Sequence, residues 1–440
     1  MPTPRTPGAF WWLWTSSALS NLADGVLKMA VPLVALRYTD SPAQIAGLSL
    51  AMGLPWLLVA LPAGALVDRW DRRRTMLVAN TVRTLVLVVV LGVAMGGHAS
   101  MAWLYAAALV VGVAEVFYDT TAQSILPQVV GRDALPRANG RLMAAELTAN
   151  QFVGPPLGGL LAAAGVGLAF GVPAGAWALA VVALVAVRGT FRTPVDASAP
   201  RTSLRADVAE GLRFLWTRPA LRSLAFMTGL QNLASTAAGA VFVLWAVGPG
   251  SALGLSEPGY GLLGTTLAVG AVGGSLVAAR VADRAGLTLT LAVSVLASAA
   301  MLAVPAVTSQ IVLVGASYLA AGLGMALWNV TVVSLRQRLT PDRLLGRVNS
   351  AYRLLAWGTI PIGAAVGGLL AELSGIRVVL LASAALTVVT LVLLPAITAA
   401  GMGETEATNE ATTEQGPDAV TDPVPAVATP GMPVRGAEDA

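Results

Sequence analysis

Apolar residues run through this chain in stretches of about twenty, and polar residues gather in short intervals between them. Such runs appear at 10–36, 43–66, 75–96, 101–125, 142–164, 167–187, 222–246, 259–281, 287–307, 311–334, 350–371 and 377–399. Roughly 20 helical residues cross a hydrocarbon core, so the pattern predicts twelve transmembrane helices. The intervals alternate in charge. One set holds Arg69, Arg72, Arg73 and Arg74, then Arg132, Arg137 and Arg141, then the segment 188–222, then Arg280 and Arg284, then Arg336, Arg338, Arg343 and Arg347. The other set, 96–100, 164–167, 247–258 and 308–310, has no Lys or Arg, and only Arg37 and Arg377 are basic elsewhere on that side. The excess of basic residues in cytoplasmic loops places the Arg-rich intervals, and with them both termini, in the cytoplasm. That result requires an even number of spans. Trp11, Trp12 and Trp14 at one end and Trp103 and Trp245 at the other suit the two interfacial belts.

Composition supports a chain covered by lipid: 56% of the 440 residues are hydrophobic, 11% are charged, and the mean hydropathy is +0.74. A soluble domain carries about 25% charged residues, so there are too few here to clothe a soluble surface. The isoelectric point near 9.8 follows from topology, and no nucleic acid is expected as a partner. Met1 to Ala23 has only Arg5 as a basic lead, and Phe10, Trp11 and Trp12 interrupt it. It is therefore expected to be a retained first helix and not a signal peptide. Cysteine is absent and His98 is the only histidine, which excludes thiol catalysis, disulfides and Cys/His metal sites. Lys28 is the only lysine and no glycine precedes it, so there is no phosphate-binding loop of the G-x-x-x-x-G-K-[ST] kind. No cofactor or metal is expected, and uphill work must draw on an ion gradient or a separate subunit.

Four regions are expected: an N-terminal six-helix half (1–188), a cytoplasmic linker (189–221), a C-terminal six-helix half (222–400) and a disordered acidic tail (401–440). In the linker, Leu204, Val208, Leu212 and Leu215 recur at helical spacing among Arg205, Asp207, Glu210 and Arg213. This predicts an amphipathic helix on the cytoplasmic face. The halves repeat one another. Segments 124–162 and 334–371 each run from a helix end through an Arg-rich interval with an R-x-N step into a helix closing on Gly-Gly-Leu-Leu-Ala, about 210 residues apart. A weaker echo joins 65–69 to 280–284.

The run Gly64-Ala65-Leu66-Val67-Asp68-Arg69-Trp70-Asp71-Arg72-Arg73-Arg74 resembles the signature loop of the major facilitator superfamily. Members of that superfamily are built from paired repeats and work by alternating access. The resemblance implies that Gly64 allows close helix packing, that Asp68 meets a helix end in the other half, and that Arg69, Arg72 and Arg73 bind the cytoplasmic face. Asp71 departs from the general pattern, which has Gly there. The form of the loop and the linker at 207–224 look like the branch containing macrolide and siderophore exporters. Gly154-Pro155-Pro156-Leu157-Gly158-Gly159 resembles the antiporter signature of drug–proton exchangers. Its opening Gly, four residues earlier, is replaced by Asn150. Glycines also serve plain close packing, and Pro interrupts a helix in any context.

Charged residues within spans are costly, at least ~2.5–3.5 kcal/mol at mid-bilayer, and so are functional candidates. Asp24 and Lys28 lie one turn apart in span one, as do Glu115 and Asp119 in span four, while Arg83 lies in span three and Glu146 opens span five. Asp24 and Lys28 could be an i, i+4 pair, or Asp24 could carry a proton. Glu115, Asp119, Arg83 and Glu146 could hold helices together, or Glu115 or Asp119 could take the proton. Asn21, Gln151, Gln231, Asn232 and Asn329 offer hydrogen bonds to a solute, and Trp56, Trp177, Trp328, Trp357 and Phe242 offer either aromatic walls or faces for lipid and neighbouring helices, which spacing does not decide. A mostly apolar cavity with few polar anchors suits lipophilic or amphipathic solutes. The expected protein is not an enzyme. It is a monomeric, proton-coupled exporter in the cytoplasmic membrane, with bilayer, small solute and proton as partners. Uptake by symport is the alternative, and from other classes come a non-transporting sensor or scaffold and, disfavoured by a lone histidine in a short loop, a membrane-embedded enzyme.

Overall fold

A computed structural model describes residues 8–67, 69–131, 134–192, 204–248 and 250–397. The tail expected at 401–440 and Asp68 of the signature loop lie outside the described residues. Among the described residues, ten helices are long and apolar enough to cross a membrane by themselves. Two further crossings are made of shorter pieces, so twelve spans result, joined as an all-α bundle. Span one is Ala9–Ala35, and span two is Pro42–Leu58 continued by Ala60–Val67. Span three is Arg72–Met95 and span four Met101–Val129. Span five is Leu135–Leu147, a π-helical turn Thr148–Val153, and Gly154–Ala164; span six is Val166–Ala186. After the linker helix Leu204–Thr217, span seven is Pro219–Ala246. Span eight is Glu257–Ala278 and span nine Arg284–Val307. Span ten is Ile311–Leu339, span eleven Asp342–Trp357 continued by Thr359–Ser374, and span twelve Ile376–Val389 with a 3₁₀ turn Thr390–Leu393.

Local chemistry explains the breaks. Ser41 caps span two through the Gln44 amide, with Pro42 in the first turn, and Ser256 caps span eight through the Gly259 amide. Gly165 (φ +130°) and Gly375 (φ +87°) stand alone between spans five and six and between eleven and twelve. Positive φ at one glycine turns the chain in a single residue, and the two glycines follow the matched Gly-Gly-Leu-Leu-Ala segments of the repeat. The two isolated basic residues of the Arg-poor side are also matched. Arg37 donates to the Ala162 carbonyl at the end of span five (2.6 Å), and Arg377 to the Ala306 carbonyl at the end of span nine (2.8 Å). Each sits where a helix C-terminus presents unpaired carbonyls and negative partial charge.

Helices reach further than the apolar runs. Span five starts at Leu135, span eleven at Asp342, and span ten ends at Leu339, because polar turns beyond the hydrocarbon continue the same backbone hydrogen bonding. The linker helix packs on the start of span eleven. Leu215 is fully buried there, Glu210 pairs with Arg347, and a side chain at Gly211 would meet the Arg347 carbonyl carbon at 2.6 Å. The exposed Glu210–Arg347 pair contributes little, on the order of 0–1 kcal/mol, so backbone proximity at Gly211 is the stronger determinant. Gly211→Val is expected to undock the helix and raise the rate of protease cleavage in the linker several-fold, whereas Glu210→Gln leaves it near the wild-type rate.

The halves touch along spans two and eleven and along spans five and eight. On the Arg-poor side the contact is backbone to backbone. A side chain at Gly159 would meet Pro258 Cα at 3.2 Å, one at Gly261 would meet Pro156 Cα at 2.9 Å, and one at Gly368 would meet Ala43 Cα at 3.2 Å. Ser41 Oγ donates to Glu372 at 2.8 Å across the same seam. Toward the Arg-rich ends of the same four spans, Gly64, Gly140, Gly273 and Gly346 have no atom within 4 Å of an added Cβ. The bundle is sealed on the Arg-poor side and parts toward the Arg-rich side.

Candidate functional site

Span three carries the central cation. Arg83 is fully buried (0% exposed), and its Nη1 lies 3.5 Å from Asp24 Oδ1 on span one. The same nitrogen donates to Ser20 Oγ (3.2 Å) and Asn80 Oδ1 (3.4 Å), and Ser20 donates to Asn80 (3.3 Å). Nε and Nη2 of Arg83 have no hydrogen-bond acceptor. Instead the guanidinium lies over Tyr118 of span four (5.3 Å) and Trp177 of span six (5.1 Å). A delocalised, weakly hydrated cation between two aromatic faces gains attraction that offsets part of its desolvation. Trp177, fully buried, is therefore a wall for Arg83 and not for a solute, which decides between the two readings its position allowed. Phe242 is buried in a C-terminal core cluster and so faces its neighbouring helices, whereas Trp328 is partly buried against another cluster.

Asp24 and Lys28 make no ion pair with each other. Lys28 Nζ reaches Glu115 Oε1 at 3.7 Å on span four. The physical reason is Arg83: a buried guanidinium needs an anion, and Asp24, at 6% exposure, is the carboxylate within reach. Asp119, one turn beyond Glu115, makes no hydrogen bond or ion pair among the described residues, and it is half-buried. Glu146 projects from the first part of span five and is exposed. Asp24, Glu115 and Asp119 thus face Lys28 and Arg83, leaving one carboxylate more than the cations balance.

The 154–159 motif presents two faces. Gly154 and Gly25 of span one bring their backbones together, each added Cβ meeting backbone atoms of the partner span at 2.7 to 2.8 Å, and Gly158 lies against Met29. Gly159 and Pro155 instead face span eight in the other half. Asn150, where the resembling signature has Gly, lies in the π-helical turn and donates to Asn21 Oδ1 at 2.7 Å. Asn21 in turn donates to the Ser17 carbonyl. Among the other polar candidates, Asn232 is engaged with the Ala356 carbonyl (2.8 Å). Gln231 Nε2 is buried without a partner, and Gln151 and Asn329 are exposed. Trp357 stacks edge-on with Trp56 across the junction of the halves (6.4 Å), and Arg353 lies 4.2 Å over its ring.

At the signature loop, Arg69 is exposed and the backbone amide of buried Arg72 donates to the Phe191 carbonyl (3.1 Å). Arg73 caps span six through the Leu184 and Val185 carbonyls (3.0 Å each). Asp71, read in the sequence only as a departure, is the N-cap of span three. Its carboxylate accepts the Arg74 amide (2.9 Å) and the Phe191 amide (2.8 Å). An Asp directly before a helical run is a legible capping signal; the Phe191 contact, 120 residues away, had none.

The family model for transmembrane secretion effectors matches residues 3–423. The chain belongs to that family, within the major facilitator superfamily. It is similar to the multidrug efflux pump Tap of Mycolicibacterium fortuitum, 27% identical over 82% of this chain and 89% of the relative. It is also similar to the enterobactin exporter EntS of Citrobacter koseri, 27% identical over 89% and 92%. In fold it resembles a bacterial homologue of the iron transporter ferroportin in its inward-facing state, with a TM-score of 0.69 at 18% identity, covering 88% of this chain and 97% of that one. This major facilitator protein is a multi-span membrane transporter of a small solute, not an enzyme.

Proposed function

We propose that the chain is a proton-coupled exporter of a lipophilic or amphipathic compound, a drug, antibiotic or siderophore, working by alternating access as a monomer. Both termini and the Arg-rich side are cytoplasmic in this reading, so the state described is open to the cytoplasm. The observation that carries it is the unbalanced carboxylate Asp119, placed beside the two ion pairs Asp24–Arg83 and Lys28–Glu115 in one half of a transporter. A proton arriving at Asp119 neutralises the excess charge that the two pairs leave. Its departure toward the cytoplasm restores that charge, and the bundle's preference for one state then depends on occupancy by the proton. Asp24–Arg83 and Lys28–Glu115 hold spans one, three and four around it.

Solute would enter between the parted Arg-rich ends and meet Trp357, Trp56, Gln151, Gln231 and Asn329, a largely apolar wall with few polar anchors. The names of Tap and EntS support the outward direction. Open space beside Gly64 supports assigning the Asp68 loop to the opposite state, in which those ends close.

The test is dye accumulation in cells with and without the chain, before and after a protonophore. The chain is expected to lower accumulation, and the protonophore to abolish the difference. Asp119→Asn is expected to reduce gradient-driven efflux at least tenfold while dye binding to the purified protein is retained. Undiminished efflux by Asp119→Asn removes Asp119 from the mechanism, and raised accumulation by the wild-type chain turns the reading to uptake.

A further inference from the structure

Apart from the transport path, the structure contains a cavity of about 490 Å³ on the flank of the N-terminal half, between spans three and four. Span three packs on spans four and six, away from the junction of the halves. The inner wall of this groove is apolar, with Val78 and Val110 both exposed (63% and 39%) although they stand in membrane-spanning helices. Its mouth, at the Arg-rich end, is different in chemistry. Arg74 and Arg192 line it, both exposed, and neither guanidinium donates to a protein acceptor among the described residues. The adjacent Arg73 contrasts with them, since its donors are used on the end of span six. Asp71 is also at the mouth, but both its oxygens are already engaged with backbone amides. Trp70 closes one side, stacked on Phe117 with centroids 5.8 Å apart and planes 18° apart.

We infer that this groove binds one anionic phospholipid from the leaflet on the Arg-rich side, with its phosphate on Arg74 and Arg192 and an acyl chain along Val78 and Val110. Guanidinium groups match phosphate oxygens in a bidentate manner and remain charged throughout. Residues 74 to 82 of span three extend about 12 Å into the hydrocarbon at 1.5 Å per residue, so the site is polar at headgroup depth and apolar below. Trp70 stands at the interface, where an amphipathic ring is favoured. Two arginines against one occupied carboxylate leave the mouth net positive, which selects an anionic headgroup over a zwitterionic one.

The experiment is native mass spectrometry of the purified full chain in detergent, titrated separately with phosphatidylglycerol, phosphatidylcholine and glycerol phosphate without chains. One phosphatidylglycerol is expected to bind ahead of phosphatidylcholine, and glycerol phosphate is expected not to bind. Arg74→Gln with Arg192→Gln should weaken phosphatidylglycerol about twenty-five-fold, from roughly fivefold for each arginine, down to the level of phosphatidylcholine. Val78→Trp, which keeps both arginines and fills the groove, should weaken both lipids. Arg213→Gln with Arg338→Gln, elsewhere on the same side, should change nothing. Unaltered phosphatidylglycerol binding by the Arg74/Arg192 double variant or by Val78→Trp overturns the assignment, as does equally tight binding of glycerol phosphate.

Discussion

Replacing Arg83 with methionine is expected to cost about 3–5 kcal/mol of stability, the usual consequence of leaving one buried charge without its partner, and to sharply lower the yield of folded protein. Asp24, at 6% exposure, would lose its counter-charge, and Tyr118 and Trp177 would lose the cation between their rings. Asp24→Asn alone should be nearly as harmful, because it strands the guanidinium, two of whose nitrogens already have no acceptor. The combination Asp24→Asn with Arg83→Met removes both charges and should recover most of the loss. Thermal unfolding in detergent, with the recovery of monodisperse protein, measures all three. If Arg83→Met unfolds at the wild-type temperature, the pair does not hold spans one, three, four and six together. The double variant then separates two roles that Asp24→Asn alone confuses: folded protein without gradient-driven transport makes Asp24 part of the proton path, whereas retained transport makes it structural.

The second large effect is expected at Gly159. Its added Cβ would meet the Glu257 carbonyl group and Pro258 Cα in the facing half. These are backbone atoms at a helix start and cannot swing aside as a side chain can. Gly159→Val is therefore expected to open the seal on the Arg-poor side and shift the population at least tenfold toward the opposite state, a change of about 1.4 kcal/mol or more. The chain has no cysteine, so spin labels at Ala164→Cys and Ala252→Cys would report the distance across that seal. A longer distance with Gly159→Val, and none with Gly171→Val, whose nearest atom is a Leu91 methyl at 3.9 Å, is the expected result. Gly154→Val should behave differently again. Gly154 faces span one within its own half, so its substitution should lower stability and leave the distance unchanged. Identical distances in all three proteins would show that the 154–159 motif is ordinary packing with no part in the gate.

The sequence by itself determined the number of spans, their order and the pairing of the halves. Span-length apolar runs, alternating arginine content and the Gly-Gly-Leu-Leu-Ala repeat each depend on local chemistry: hydrocarbon thickness, loop charge and a glycine able to turn the chain in one residue. The same locality explains where the reading fell short. Hydropathy saw the start of span five at 142, but the helix begins at Leu135, since polar turns outside the bilayer leave no apolar signal. It gave candidates for the charged site, Asp24, Lys28, Arg83, Glu115 and Asp119, because any charge in a span is conspicuous.

Only the tertiary structure decided which of them meet. An i, i+4 spacing made Asp24 and Lys28 natural partners, yet both reach across to other spans, because Arg83 arrives from span three with no anion of its own and Asp24 lies nearest. That choice leaves Asp119 unpaired, and it also makes Trp177 a cradle for Arg83 and not a solute wall. Nor could spacing tell that Gly158 faces a helix of its own half while Gly159 faces the other half. Adjacent residues on a helix point about 100° apart, and which neighbour stands in each direction is a property of the packed bundle.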